Sequence, residues 1–460
     1  MLERVVLLVN RKHFACRNIV TISSEFFNKD RQVGLRKWTE IFDLNSRFCG
    51  NFSNNILNHK RFHSYHSAPH RPGTDRRDDL GWRAVLSDAE QIVGYPTSFL
   101  NLRWLFNDEI AVVATHLRKL VGTNHPLLKT AKNILIGSRS NLQSVGLIVL
   151  LVSKAASFNP RDYTPDQHDS GVLYAQRALA EIVEMKRTGH LIHKTMANLQ
   201  DKEKHGEKFK DLLCGNKIVL LTGDYLLATC LRHLGGLRNN EVTELISTGL
   251  RDLVEGDFLG ERDADNNPLP SKPKANNEIK RHYDWENENN LGKLGSNEFL
   301  GQGKDEWILR TMLTSGSLLA KGCQAAMKLS KRGEELEREA YKLGGHLAMI
   351  WQLYLDVKDF FTHPDSYSLV GAPVILAIWE YPTLYGHILE AKLEKKEIEL
   401  KPLHYAVLGT RSLEYLKQFL DEELAAALQC CEKFPVEEAR VALQKMAISV
   451  HSEAVQYIDT

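Results

Sequence analysis

From Trp82 to the C-terminus the apolar residues of this chain recur at intervals of three and four, not two. Ile110, Val113, Ala114, Leu117 and Val121 form one such series, and Leu173, Ala180, Val183 and Leu191 another. That spacing gathers apolar side chains on one face of an α-helix, whereas a half-buried strand alternates. Strand-like runs bounded by turn pairs are scarce. The pattern predicts an all-α domain of many helices. A helix start is expected at Ser87, where Glu90 completes a capping-box spacing.

Charge and cysteine usage narrow the function. Fifty-nine basic against 58 acidic residues leave +1, so bulk charge gives no footprint for nucleic acid or another polyanion. None of the seven cysteines forms C-x-x-C or a zinc spacing, which predicts reduced, mostly buried thiols. No apolar run reaches the roughly 18 residues of a membrane helix. The best candidate, Val145 to Phe158, is interrupted by Ser153 and Lys154 and reads as a buried helix. Gly303-Lys304 suggests a phosphate loop only superficially, because Glu298 replaces the preceding glycine and Asp305 the Ser/Thr.

Two stretches depart from the helical pattern. Met1 to Lys37 holds eight Lys/Arg against three acids, with scattered apolar residues. Arg-rich, acid-poor and amphipathic describes a mitochondrial presequence. Asn51 to Arg77 follows without periodicity. Residues 1–81 are therefore expected to be a presequence and disordered linker, and 82–460 the helical domain. Within that domain, Gly260 to Lys304 is rich in Asn, Asp, Glu, Lys and Gly, with Pro268, Pro270 and Pro273. So few apolar residues would give little return for the entropy of ordering. The segment is expected to be a disordered insertion.

Four collinear segments carry a family resemblance. Leu179 to Asn198 reads LAEIVEMKRTGHLIHKTMAN. It resembles, without gaps, the first signature helix of the trans-isoprenyl diphosphate synthases, roughly LAEIIELIHTASLLHDDVID. Glu184, Thr188, Leu191, Ile192 and His193 fall on their counterparts. Gly215 to Ala228 resembles the stretch that follows. His346 to Phe360, HLAMIWQLYLDVKDF, resembles the second signature helix, with Gln352, Asp356, Asp359 and Phe360 in place. Phe434 to Leu443 is similar to the closing helix. The resemblance covers about residues 85 to 455, apart from the insertion. It implies a single large helical domain around a central cavity, and head-to-tail elongation of an allylic diphosphate. That chemistry uses two facing D-D-x-x-D motifs. Their carboxylates share a helix face and hold Mg²⁺, a hard cation suited to oxygen donors, which clamps the departing diphosphate.

This chain departs from the pattern at the residues that matter most. Lys194, Thr195 and Asn198 stand where the first motif has its aspartates. The local charge goes from −3 to +1, and lysine has no acceptor. In the second motif Leu355 replaces the first aspartate, while Asp356 and Asp359 remain as a half-retained metal pair. Gly122 to Leu128 resembles the basic isopentenyl diphosphate loop, with Asn124, His125 and Leu127 in place of its cations. The family's Lys-Thr pair falls on Thr314 and Ser315.

A framework kept without its site resembles the non-catalytic subunit of heteromeric long-chain polyprenyl diphosphate synthases. The resemblance implies a mitochondrial matrix protein that supports a catalytic partner with intact aspartate motifs. Mg²⁺ would sit in that partner, and the product would be the ubiquinone side chain. Two other readings stand beside it. One is an autonomous prenyltransferase using Asp356, Asp359 and atypical ligands. The other is a polyprenyl lipid carrier. The helix expected over Leu142 to Ala156 is apolar nearly all round, which suits either a subunit interface or an internal core.

Overall fold

The computed structural model describes residues 75–94, 145–197 and 207–459, apart from 264–265, 276–277, 280, 288–295 and 395–397. The expectations for residues 1–74 and for Asn124, His125, Leu127 and Asn198 lie outside it. Thirteen α-helices make up the described part, with one small hairpin. α1 spans Asp75–Val93. It begins ahead of Trp82, and Ser87, the expected start, lies inside it.

α2, Val145–Ala156, is buried on every side except at Lys154. A helix that is apolar all round belongs in a core, and α2 packs against α1, α3, α7 and α13. The hairpin β1 (His168–Asp169) and β2 (Val172–Leu173) then turns through Ser170 and Gly171, both at positive φ. It delivers the chain into α3, Tyr174–His193. Gln176 fixes that entry. Its amide oxygen accepts from the Leu173 N–H at 3.0 Å, and its amide donates to the Ala326 carbonyl at 2.9 Å.

α4 (Glu207–Gly236) lies along α3, and α5 is Asn240–Asp257. α6 (Lys304–Thr311), a π turn at Met312–Gly316 and α7 (Ser317–Leu329) run on without a break in helical backbone. α8, Glu334–Thr362, opens with Glu334, Glu335 and Glu337, acids that complement the positive end of the helix dipole. α7 and α8 cross closely at Gly344, where a Cβ would stand 2.8 Å from the Ala320 Cα. α9 (Ala372–Glu380), α10 (Tyr385–Glu394) and α11 (Leu400–Leu408) gather a smaller core around Phe360, Val374 and Leu403. α12 (Ser412–Cys431) and α13 (Glu437–Ile458) close the bundle.

The stretch 260–304 corrects the expectation of a disordered insertion. Its described residues bury Leu269, Tyr283, Trp285 and Phe299. Trp285 covers Gly345 so closely that a Cβ there would lie 2.2 Å from the indole. The Tyr341 hydroxyl donates to the Trp285 carbonyl at 3.2 Å, and Lys342 pairs with Glu286 at 2.6 Å. Buried side chains replace regular secondary structure in satisfying the backbone. Glu306 accepts from the N–H groups of Ser271 (3.2 Å) and Gly301 (2.6 Å). Arg310 donates to the Leu269 carbonyl at 3.0 Å. Average composition hid this, because a few widely spaced large side chains do the packing.

Candidate functional site

α3 ends where the first aspartate motif is expected. Lys194 is its last helical residue in conformation, and its ammonium lies 3.0 Å from Asp257 at the end of α5. The same carboxylate lies 3.7 Å from His190 Nε2. Burial, aided by the Lys194 charge, pushes His190 down to about 4, so this imidazole is neutral near pH 7. Thr195 turns its hydroxyl back onto the Ile192 carbonyl at 2.6 Å. Asn216 holds Ala197 through its N–H (2.8 Å) and its carbonyl (2.9 Å). His193 faces Asp224 at 3.3 Å. The ammonium and hydroxyl in the motif positions are thus occupied within the protein.

Nearly three turns back along α3 from Lys194, Glu184 is buried and accepts from the Gly146 N–H at 3.1 Å. Desolvation raises its pKa, with Arg187 opposing. Beyond it lies a polar cluster that sequence reasoning missed. Lys186 is fully buried and donates to the Ile246 carbonyl. Nearby, Lys321 and Ser317 both donate to Asp252, itself fully buried. Desolvation pushes the Lys186 amine down to about 8. A signal was present: Lys186 follows Ile182 and Val183 on the apolar stripe of α3, and Asp252 follows Gly249 on that of α5.

The second motif lies in the middle of α8. Asp356 is buried, and protein donors occupy both its oxygens. Oδ2 accepts from Trp307 Nε1 at 2.7 Å and from the Ala372 N–H at 2.8 Å, while Oδ1 accepts from Gln352 at 2.7 Å. Ala372 opens α9, so this carboxylate caps a neighbouring helix. Burial pushes Asp356 up to about 6 despite these donors. Asp359 accepts from the Ser368 N–H at 3.1 Å and faces His363 at 3.4 Å. It pins the loop between α8 and α9. Thr314 and Ser315 fall in the π turn and bond the carbonyls of Arg310 (2.8 Å) and Thr311 (3.2 Å).

Among the described residues no three His, Cys, Asp or Glu side chains gather as a metal site. Mg²⁺ needs free carboxylate oxygens with room for water. The pair Asp356 and Asp359, offered by the sequence as metal ligands, is engaged with N–H donors instead, and Lys194 is a cation. The described residues at the two motif positions do not fit the family's metal. Nor is any helix among the described residues long and apolar enough to cross a membrane.

The helical architecture is shared with solved prenyl synthases. A geranylgeranyl pyrophosphate synthase from Bacteroides thetaiotaomicron superposes with a TM-score of 0.52 at 18% identity, over 80% of this chain and 99% of that one. This is the isoprenoid-synthase fold. No family model matches the chain. The all trans-polyprenyl-diphosphate synthase PDSS2 of Mus musculus is 35% identical over 82% of this chain and 89% of its own length. A probable mitochondrial hexaprenyl pyrophosphate synthase of Neurospora crassa is 26% identical over 81% of this chain and 88% of its own. The chain belongs to the trans-polyprenyl diphosphate synthase family.

Proposed function

We propose that this chain is the non-catalytic, regulatory subunit of a heteromeric mitochondrial synthase of long all-trans polyprenyl diphosphates. Its partner carries both intact aspartate motifs and the Mg²⁺, and the product supplies the ubiquinone side chain. The observation that carries the reading is the Lys194–Asp257 ion pair, at 3.0 Å, in the place of a metal-binding carboxylate cluster. A cation there repels Mg²⁺, and its own counter-charge is already supplied. The buried charges of Lys186, Asp252 and Lys321 argue in the same direction. Lys186, Asp252 and Lys321 are buried and hydrogen-bonded, so a hydrocarbon chain entering there would have to break those bonds and leave the groups unpaired. They make the interior beside α3 a braced core, which disfavours the lipid-carrier reading. The Arg-rich Met1 to Lys37 stretch supports mitochondrial import, and the Neurospora crassa relative is described as mitochondrial.

The test is to purify the full chain alone and together with a homologue that keeps both aspartate motifs. Incorporation of isopentenyl diphosphate is expected only in the co-purified pair. Changing Lys194, Thr195 and Asn198 to Asp in the isolated chain should raise Mg²⁺ affinity without giving turnover, because Asp356 stays engaged and Leu355 supplies no carboxylate. Robust turnover by the isolated parent chain would overturn the reading. So would loss of most heteromer activity on Lys194→Asp with assembly intact.

A further inference from the structure

We propose that His346 is a proton-operated latch, which fastens the 260–304 stretch to α8 when its imidazole is charged and loosens it when the ring is neutral. His346 is buried on α8, and its two ring nitrogens face carboxylates from two other parts of the chain. Nδ1 lies 2.7 Å from Glu423 of α12, and Nε2 lies 4.0 Å from Glu286 of the 260–304 stretch. The residue before Glu286 is Trp285, whose ring meets the imidazole edge to face at 4.9 Å while it covers Gly345. Glu286 is also held at 2.6 Å by Lys342, one turn before His346 on α8. Glu339 on α8 and the Cys430 thiol on α12 complete the charged and titratable groups around this point among the described residues. Burial pushes that thiol up to about 12, so it stays protonated.

The two ring nitrogens are not equivalent. An ionised carboxylate only accepts, so the proton of the neutral ring sits on Nδ1, toward Glu423. Nε2 then turns a lone pair toward Glu286, beyond hydrogen-bond reach. A second proton makes Nε2 a donor aimed at that carboxylate, and the imidazolium joins Lys342 in holding Glu286. Histidine is the side chain whose charge ordinarily changes between pH 5 and 8. Lifting the 260–304 stretch would change only one side of the ring. Glu423 would stay beside it, while Glu286 and Trp285 would leave together. Trp285 takes water from the ring, which opposes the charged form. Glu286 supplies a second carboxylate within 4.0 Å and, at 41% exposed, keeps much of its own hydration. Two carboxylates at these distances outweigh the cover of one indole. The closed form therefore holds the proton more tightly than the open one, and falling pH favours closure. The latch is independent of the proposed function, since it acts whichever subunit carries the chemistry.

Hydrogen exchange of the full chain at pH 6 and pH 8, corrected for the intrinsic rate at each pH, tests the proposal. Amides of residues 281–287 should exchange about tenfold more slowly at pH 6, within the limit of about tenfold per pH unit that one linked proton sets. Glu286→Gln changes a half-exposed side chain, leaves the fold intact and should abolish the difference. His346→Gln should do the same, because Gln keeps a donor for Glu423 but takes up no proton. Amides of α4, which packs along α3, should show no such difference in any of these chains. Equal protection of 281–287 at both pH values in the parent, a pH difference that survives Glu286→Gln, or one shared equally by α4 would each overturn the proposal.

Discussion

The ends of α3 and the middle of α8 occupy equivalent places in the family pattern, yet they have diverged in opposite ways. At α3 the acids are gone, and Lys194 stands 39% exposed in a pair with a carboxylate 35% exposed. On α8 two acids survive, and Asp356 is only 9% exposed with three N–H donors around it. Retention of an acidic residue therefore does not imply retention of a metal. Asp356 is held by what its loss would leave behind: buried donors without an acceptor. The rim position leaves no such debt, and its charge could reverse freely.

Perturbing each side should separate the two. The largest effect is expected on removing residues 260–304 behind a short Gly/Ser linker. That strips Trp285 from α8, removes the buried Tyr283 from the core, and takes the backbone partners of Glu306 and Arg310 from α6. Loss of cooperative folding, or a melting temperature lower by ten degrees or more, is expected, and Trp285→Ala alone should cost about 3–5 kcal/mol. Calorimetry that finds the deletion neutral would mean that α8 needs no brace.

Next comes Asp356→Ala, expected to cost about 2–4 kcal/mol in denaturant unfolding because it orphans Trp307 Nε1 and the Ala372 N–H. Asp356→Asn should cost less, since it keeps one acceptor oxygen. If Lys194→Ala proved equally costly, the contrast between the two helices would collapse.

Lys186 gives a pH test of the interior beside α3. Its amine is pushed from 10.5 down to about 8 in the folded chain. Below pH 8 both states carry the proton, and the folded state bears the desolvation cost. Between pH 8 and 10.5 the unfolded state binds more protons, so stability rises with pH. That rise, about 1–3 kcal/mol at ~1.4 kcal/mol per pH unit, should be missing in Lys186→Met. Parallel unfolding curves of parent and variant across this range would show that the amine is not desolvated.

The smallest effect belongs to the rim. Lys194→Ala should change stability by less than about 1 kcal/mol, as for other half-exposed pairs, and less still in high salt. A larger loss would make Lys194 a structural residue like Asp356.

Much of this was legible in the sequence, and the remainder shares one cause. Helix content followed from three-and-four spacing, and α2 was readable from Val145 to Phe158 because apolar residues fill every face. The reversed first motif was visible because its flanks align without gaps. What escaped depended on partners far along the chain. Trp307 lies 49 residues from the Asp356 it bonds, and Lys321 lies 69 from Asp252. Trp285 gave no periodic signal, since a lone indole seated on Gly345 has no neighbours in register. Local spacing describes a face but does not say which distant side chain will meet it.

The π turn at Met312–Gly316 has a consequence of its own. A π turn accommodates one more residue than the α-helix would, so it sets back the phase of everything after it by about 100°. Trp307 and Arg310, before it, address α8 and the 260–304 stretch, while Ser317 and Lys321, after it, address Asp252. The turn works as a rotary offset in a single rod, letting one helix serve two sets of neighbours that no uninterrupted 3.6-residue repeat would face in the same way.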